Sequence, residues 1–323
     1  VGKNDIFKNN GNGNGYYRST KGPRVWPWVL LLVLVVGTIL GVVIYKAFGE
    51  GFFTSQKPVV IEPVAVEEVE EEVVIETDPR ELLKDTNHLY LAKEYAYPTE
   101  QVRHWITGEA AYAGDKIAFL TFDDGPSQTN TRKILEVLAE KEAVGTFFLI
   151  GSSIDHVADA GDIINEVLEG GHGIALHSYT HDYGRLYPSS TADPERILEE
   201  LNQLQDRIRN VTGRPQFRSS VFRYPGGHMS WRGTQEADTL LKEEGIEYID
   251  WNAMNGDSEP TNRRPTDKEG LAAFVMDSLV YSPVKEVMVV LMHDAENKGL
   301  TVESLPLIID ILREEGYAFG ILK

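Results

Sequence analysis

The 323-residue sequence contains no cysteine. That excludes disulfides, thiolate metal sites and cysteine nucleophiles, while leaving the redox compartment open. Positive charge is also scarce: 31 Lys and Arg stand against 50 Asp and Glu, a net charge of −19. Phosphate backbones are bound by basic surfaces, so the balance argues against nucleic acid as a partner. Long apolar runs are absent with one exception, near the N-terminus. The hydrophobic fraction of 42% is ordinary for a globular chain. The length suits one large domain with extras, or two average domains.

The exception runs from Val25 to Tyr45 without a single charge, and Trp26 and Trp28 stand at its entry. Coiled as a helix, such a run spans ~32 Å at ~1.5 Å per residue, enough for a bilayer's hydrocarbon core. Before it, a Gly- and Asn-rich stretch carries Lys3, Lys8, Arg18, Lys21 and Arg24 against Asp5 alone. The positive-inside rule then predicts a cytoplasmic basic tail over 1–24 and a single-pass transmembrane anchor over 25–48. Everything beyond lies outside the cell. The competing reading is a cleaved signal peptide. Against it, the run is longer than a typical signal core, and Lys46-Ala47-Phe48-Gly49 is a poor cleavage site.

Residues 49–81 are mostly Val, Glu and Pro around Glu67-Glu68-Val69-Glu70-Glu71-Glu72. That composition predicts an extended, disordered acidic stalk, with a short strand at Val73-Val74-Ile75 as the alternative. Residues 82–114 predict a short helix and an apolar lead-in from Leu82, Leu83, Leu89, Leu91 and several tyrosines. His88 and His104 read as packing or surface residues there.

From Lys116 onward the pattern alternates. Strand-like runs fall at Ile117–Phe122, Gly145–Ile150, Gly173–Leu176, Val221–Arg223, Glu247–Trp251, Val287–Met292 and Tyr317–Leu322. Helical patterns lie between them, at Thr131–Glu142, Ile154–Glu169, Pro194–Val211, Gln235–Glu244, Lys268–Tyr281 and Val302–Glu315. Seven strands alternating with helices predict an α/β fold on a parallel sheet, doubly wound or closed as a barrel.

The ends of those strands hold the chemistry. The first stops on Asp123 and Asp124. The third runs into His177-Ser178-Tyr179-Thr180-His181, and the fourth ends on Arg223. The fifth leads to Asp257, and the sixth ends on His293-Asp294. Each alone has a plainer reading: two aspartates can open a turn, Arg223 can sit in a surface ion pair, and Asp294 can brace its loop. Together they put ionisable groups at the C-terminal tips of five strands, where parallel barrels gather catalytic residues. Two histidines four apart can share a metal if their loop winds helically. A third, carboxylate ligand would leave the open coordination position of a catalytic site.

Thr-Phe-Asp-Asp-Gly, His-Ser-x-x-His, Phe-Arg-x-Pro-Gly-Gly and Leu-Met-His-Asp, in this order, resemble the polysaccharide deacetylase family, or NodB-homology domain, over about residues 115–323. The resemblance implies an irregular (β/α) barrel that removes acetyl groups from sugar polymers with one divalent metal ion, zinc being the expected ion. It implies Asp124, His177 and His181 as metal ligands and Asp123 as general base. Arg223 would pair with that base, His293 would be the general acid, and Asp257 the carboxylate orienting it. Two positions depart from the pattern: Gly226 stands where an aromatic is common, and Ser258 where a tryptophan is common. Trp231 and Trp251 could supply the missing stacking surface or belong to the core.

An outward-facing tethered enzyme of this kind expects an acetylated polysaccharide within reach, peptidoglycan first. Chitin-like oligomers, poly-N-acetylglucosamine and O-acetylated xylan are the alternatives. A wall-binding protein on a retired catalytic scaffold is the reading from another class. No obligate protein partner is expected.

Overall fold

A computed structural model describes residues 78–323. The basic tail, the anchor and nearly all of the acidic stalk expected from the sequence lie outside the described residues. Among the described residues no helix is long and apolar enough to cross a membrane.

The strands are β1 (Ala96–Tyr97), β2 (Ile117–Gly125), β3 (Gly145–Leu149), β4 (Gly173–Leu176), β5 (Val221–Phe222), β6 (Glu247–Tyr248), β7 (Ala253–Met254), β8 (Val287–His293), β9 (Ala318–Phe319) and β10 (Ile321–Leu322). The helices are α1 (Thr99–Thr107), α2 (Asn130–Glu140), α3 (Gly151–His156), α4 (Ala160–Glu169), α5 (Tyr183–Leu186), α6 (Pro194–Thr212), α7 (Thr234–Glu243), α8 (Lys268–Leu279) and α9 (Gly299–Glu314). The main sheet runs β6-β5-β4-β3-β2-β8-β7, with β9 also on β2 and every pairing parallel. It curves as a half-barrel whose end strands, β6 and β7, do not pair with each other in the described residues. The expected barrel is therefore open along one side.

The opening has a local cause. The expected strand Glu247–Trp251 stops at Tyr248, because the carbonyls of Ile249 and Asp250 turn to accept from the Arg223 guanidinium, at 3.1 and 3.3 Å. The chain then re-enters the sheet as β7, a strand the sequence pattern does not announce.

Two apolar layers flank the sheet, as period-two alternation requires. Ala118, Leu120 and Phe122 of β2 join the outer cluster with residues of α2, α6 and α9, while Ile117 and Phe119 face the barrel interior. Burying each of these large side chains contributes about 1.5–3 kcal/mol. Val102 and Ile106 of α1 enter the interior cluster beside Ile117 and Val287, at the N-terminal ends of the strands. The short helix expected within 82–114 thus fills the base of the barrel.

Helix ends follow local chemistry. Asp193 caps α6 by accepting from the Arg196 N–H, Pro194 opens it and left-handed Gly213 ends it. The expected helix Ile154–Glu169 is two helices, because Val157 is extended and Asp159 is drawn aside by Arg132 and Gln128.

Candidate active site

The inward parity that builds the apolar interior also builds the site. Ile117 and Phe119 of β2, Ala175 of β4, Val221 of β5, and Val287 and Val289 of β8 all face inward. Continued toward the C-terminal tips, the same alternation arrives at Asp123, His177, Arg223 and His293. The four meet in one layer above the apolar core.

Asp124 breaks this rule, and must. Alternation would send it outward, away from Asp123. A left-handed backbone at Asp124 (φ +77) and a register shift against β3 between Asp123 and Gly125 turn its carboxylate back to the site. The next residue has to be glycine: a Cβ on Gly125 would lie 2.4 Å from Asp294 Oδ2. Asp294, wholly buried, fills that space and accepts from the Thr131 hydroxyl at 2.5 Å, bracing the loop as its plainer reading expected. Burial pushes its carboxyl up to about 8.

Asp124 Oδ1 lies 3.7 Å from His177 Nε2 and 3.5 Å from His181 Nε2, and the three residues offer ligand atoms within 4.8 Å of one another. The loop carrying the histidines does not wind helically. Left-handed Ser178 (φ +69) and His181 (φ +54) bring the rings together instead. His177 shares a 2.8 Å hydrogen bond between Nδ1 and the Arg223 carbonyl, which makes Nδ1 the protonated nitrogen and leaves an Nε2 lone pair facing the cluster. Burial, with the charge of His181 and Arg223 nearby, lowers its pKa to about 3 despite Asp124, so the ring is neutral at pH 7. Asp124 Oδ1 is buried and has no hydrogen-bond partner. A buried, orphaned carboxylate oxygen facing two imidazole nitrogens fits a divalent cation.

On one side of this cluster stands an ion pair. Asp123 Oδ1 accepts from Arg223 Nη1 at 2.8 Å, with both side chains essentially excluded from solvent. The guanidinium is held on every edge: Nη1 also reaches Thr121 Oγ1 at 2.8 Å, and Phe148 lies against it at 4.1 Å. Burial raises the Asp123 carboxyl above its usual range, against the pull of Arg223 and His293. A raised carboxylate is a better proton acceptor.

On the other side, His293 Nδ1 pairs with Asp257 Oδ1 at 2.7 Å. Asp257 Oδ2 accepts from the His293 N–H at 3.0 Å and from the Thr301 hydroxyl at 2.7 Å. Burial alone would lower the imidazole, but Asp257 and the further charges of Asp123 and Asp124 outweigh it and raise its pKa. Burial would likewise raise Asp257, yet the bond and charge of His293, with Lys298, hold it below the usual range. The pair is built to carry a proton on the imidazole.

Every site residue expected from the sequence therefore comes together. Asp257 arrives from the loop after β7, not from the fifth expected strand. Trp251 is partly buried and packs against the interior cluster, its ring 5.7 Å from the Arg223 guanidinium. Trp231 is half-buried beside the site. Sequence reasoning missed Thr301 and Lys298, which brace Asp257 from α9 and the loop before it and carry no local signal. It also missed Tyr183, two residues past His181.

A family model described as polysaccharide deacetylase matches residues 110–249. A peptidoglycan-N-acetylglucosamine deacetylase of Bacillus cereus is 31% identical over 205 residues, covering 63% of this chain and 68% of that protein. A chitooligosaccharide deacetylase of Rhizobium leguminosarum bv. trifolii is 30% identical over 241 residues, covering 70% of this chain and 97% of that protein. Among solved structures, a CE4 esterase of Streptococcus mutans superposes with a TM-score of 0.72 at 38% identity, covering 76% of this chain and all of that one. Likeness of this extent, in sequence and in fold, makes the chain a member of the polysaccharide deacetylase family and a hydrolase of linear amides.

Proposed function

We propose that the chain removes N-acetyl groups from N-acetylglucosamine in peptidoglycan, releasing acetate, with one zinc ion held by Asp124, His177 and His181. The observation that carries this reading is the pairing on either flank of the ligand cluster: a buried carboxylate–arginine pair on one side, an imidazole–carboxylate pair on the other. Bound there, a divalent ion supplies Lewis acidity to the acetamide carbonyl and to an attacking water.

The chain's own residues do the rest. Asp123, fixed by Arg223, accepts a proton from the water as it attacks. Arg223 keeps that carboxylate in one orientation through its Nη1 donor. His293, protonated and oriented by Asp257, gives its proton to the departing amine. The depressed Asp257 carboxyl stays ionised throughout and stabilises the imidazolium.

Peptidoglycan as substrate is supported by the Bacillus relative and by the proposed location: N-terminus in the cytoplasm, anchor over 25–48, catalytic domain outside. The Rhizobium relative, matched over almost its whole length, favours chitooligosaccharides as the second reading. A retired scaffold would be expected to have lost a ligand or an acid–base group, and each has its counterpart in this site.

The test is acetate release by the 323-residue chain from purified peptidoglycan and from chitotetraose, with and without chelator, beside Asp123→Asn. Chelator-sensitive acetate from peptidoglycan, lost in the variant, is the expected result. Acetate from chitotetraose alone would move the substrate to the second reading. No acetate from either, with metal verified in the protein, would sink both.

A further inference from the structure

Helix α6 buries one side chain out of character. Its apolar face is Ile197, Leu201, Leu204 and Ile208, the spacing of an amphipathic helix, and Glu200 stands among them at 1% exposure. The preceding Glu199 is open to solvent over 65% of its side chain. A buried carboxylate is costly unless charge or hydrogen bonds compensate it. The one cation within ion-pair distance among the described residues is Arg185, 3.8 Å away on a side chain half open to solvent. An ion pair of that kind is too weak to account for the burial.

The compensation comes from the histidine loop. Glu200 Oε2 accepts from the N–H groups of Tyr179 at 3.1 Å and Thr180 at 3.0 Å, and Oε1 accepts from the Thr180 hydroxyl at 2.8 Å. Both residues lie between His177 and His181. On the loop's other edge, the carbonyls of Ser178 and Tyr179 accept from the N–H groups of Gly151 and Ser152, which open α3. The His181 N–H goes to Ser178 Oγ at 3.0 Å. Without Glu200, two N–H groups and a hydroxyl of this loop would lose their acceptors together. The loop needs such support, because Ser178 and His181 are left-handed without being glycine, a conformation that persists only where its surroundings over-determine it.

We propose that Glu200 is a positioning residue for the metal ligands, holding His181 in register with His177 and Asp124 by acting through Tyr179 and Thr180. The proposal rests on the reading of Asp124, His177 and His181 as a metal site and is independent of the substrate. It places a determinant of metal affinity on α6, outside the strand tips that carry the rest of the site.

The test is the zinc affinity of the 323-residue chain, measured by competition with a chromophoric chelator, beside the visible absorption of its cobalt-loaded form. Glu200→Leu keeps the volume and removes every acceptor; it is expected to weaken zinc binding about 100-fold and to shift the cobalt band. Glu200→Gln keeps one oxygen for the two N–H groups, and a loss of about tenfold is expected. Asn87→Ala is the control. Its amide donates to the carbonyls of Ile174 and Leu322, so its loss should lower the urea midpoint and leave zinc affinity and the cobalt band unchanged. Where Glu200→Leu does not fold, Glu200→Gln decides. Unchanged zinc affinity in Glu200→Gln, or an equal loss in Asn87→Ala, overturns the proposal. An unsubstituted chain that binds no zinc sinks the metal reading and this proposal with it. Zinc affinity lost with Glu200, in a chain that releases no acetate from peptidoglycan or chitotetraose, upholds the proposal and sinks the deacetylase reading. Acetate released with zinc affinity indifferent to Glu200 does the reverse.

Discussion

His172 and His177 flank the same four-residue strand, β4, one at each end. Each is 2% exposed, and burial depresses both, to about 4 and about 3. By burial and titration the two are hard to tell apart. Their neighbours differ. His172 accepts from the Gly145 N–H at 3.3 Å and packs against Phe147, and no carboxylate approaches it within ion-pair distance in the described residues. His177 has Asp123 and Asp124 each 3.7 Å from Nε2. The lesson is that a depressed buried histidine marks nothing by itself, and the converging carboxylates make the site. They converge because strand direction is uniform: all C-terminal tips lie on one rim, and His172 lies on the other.

The sharpest way to break the comparison is to truncate both. His177→Ala should lower acetate release by about two to four orders of magnitude, since it removes a ligand of the proposed metal centre. The folded protein should also hold less than one equivalent of metal. His172→Ala should keep full metal content and most activity per folded molecule. It should unfold more easily, by about 1–3 kcal/mol, because the buried Gly145 N–H loses its acceptor. Urea melts and metal analysis on the two variants decide the matter; matching losses of metal in both would erase the distinction.

His293 extends the comparison in the opposite direction. It too is largely buried, yet its pKa is raised because Asp257 sits on Nδ1. Asp257→Asn removes that charge and leaves burial to act, so the imidazole should lose its proton at lower pH. The expected result is a basic limb of kcat/KM displaced to lower pH, with activity near pH 8 down about 10–100-fold. An unmoved basic limb would mean that His293 is not the proton donor.

Much of this was legible in the residues and some was not. Period-two alternation with polar tips gave the parallel sheet and the members of the site, because a strand's parity carries from its apolar body to its last residue. What escaped was set by contacts distant in sequence. Strand β6 ends early since Arg223, a residue of β5's tip, captures two carbonyls that would otherwise extend the ladder. Asp124 reaches the site through a left-handed backbone that depends on Gly125 and on Asp294, 170 positions downstream. The two histidines could share a metal if their loop wound helically; it does not, and left-handed Ser178 and His181 bring the rings together in its place. Thr301 and Lys298 meet Asp257 across 44 and 41 positions of sequence.

The remaining expected effect concerns stability and isolates His172 from the chemistry altogether. Its folded pKa of about 4 lies below the ordinary value of 6.5. Above 6.5 neither the folded nor the unfolded state carries the proton, and the group contributes no pH dependence. Between 6.5 and 4 the unfolded chain binds a proton that the folded one refuses, so stability falls as pH falls through that window. The full loss for one such group is on the order of 3 kcal/mol. His88, also buried and lowered to about 4, adds a loss of the same sign. His172→Gln keeps an acceptor for Gly145 but cannot titrate, so the slope of unfolding free energy against pH between 6.5 and 4 should flatten without vanishing. His177 cannot be read this way in metal-loaded protein, where protonation competes with the ion. An unaltered slope in His172→Gln would mean that the histidine at the base of β4 already takes up its proton in the folded state, and that burial treats the two ends of the strand differently after all.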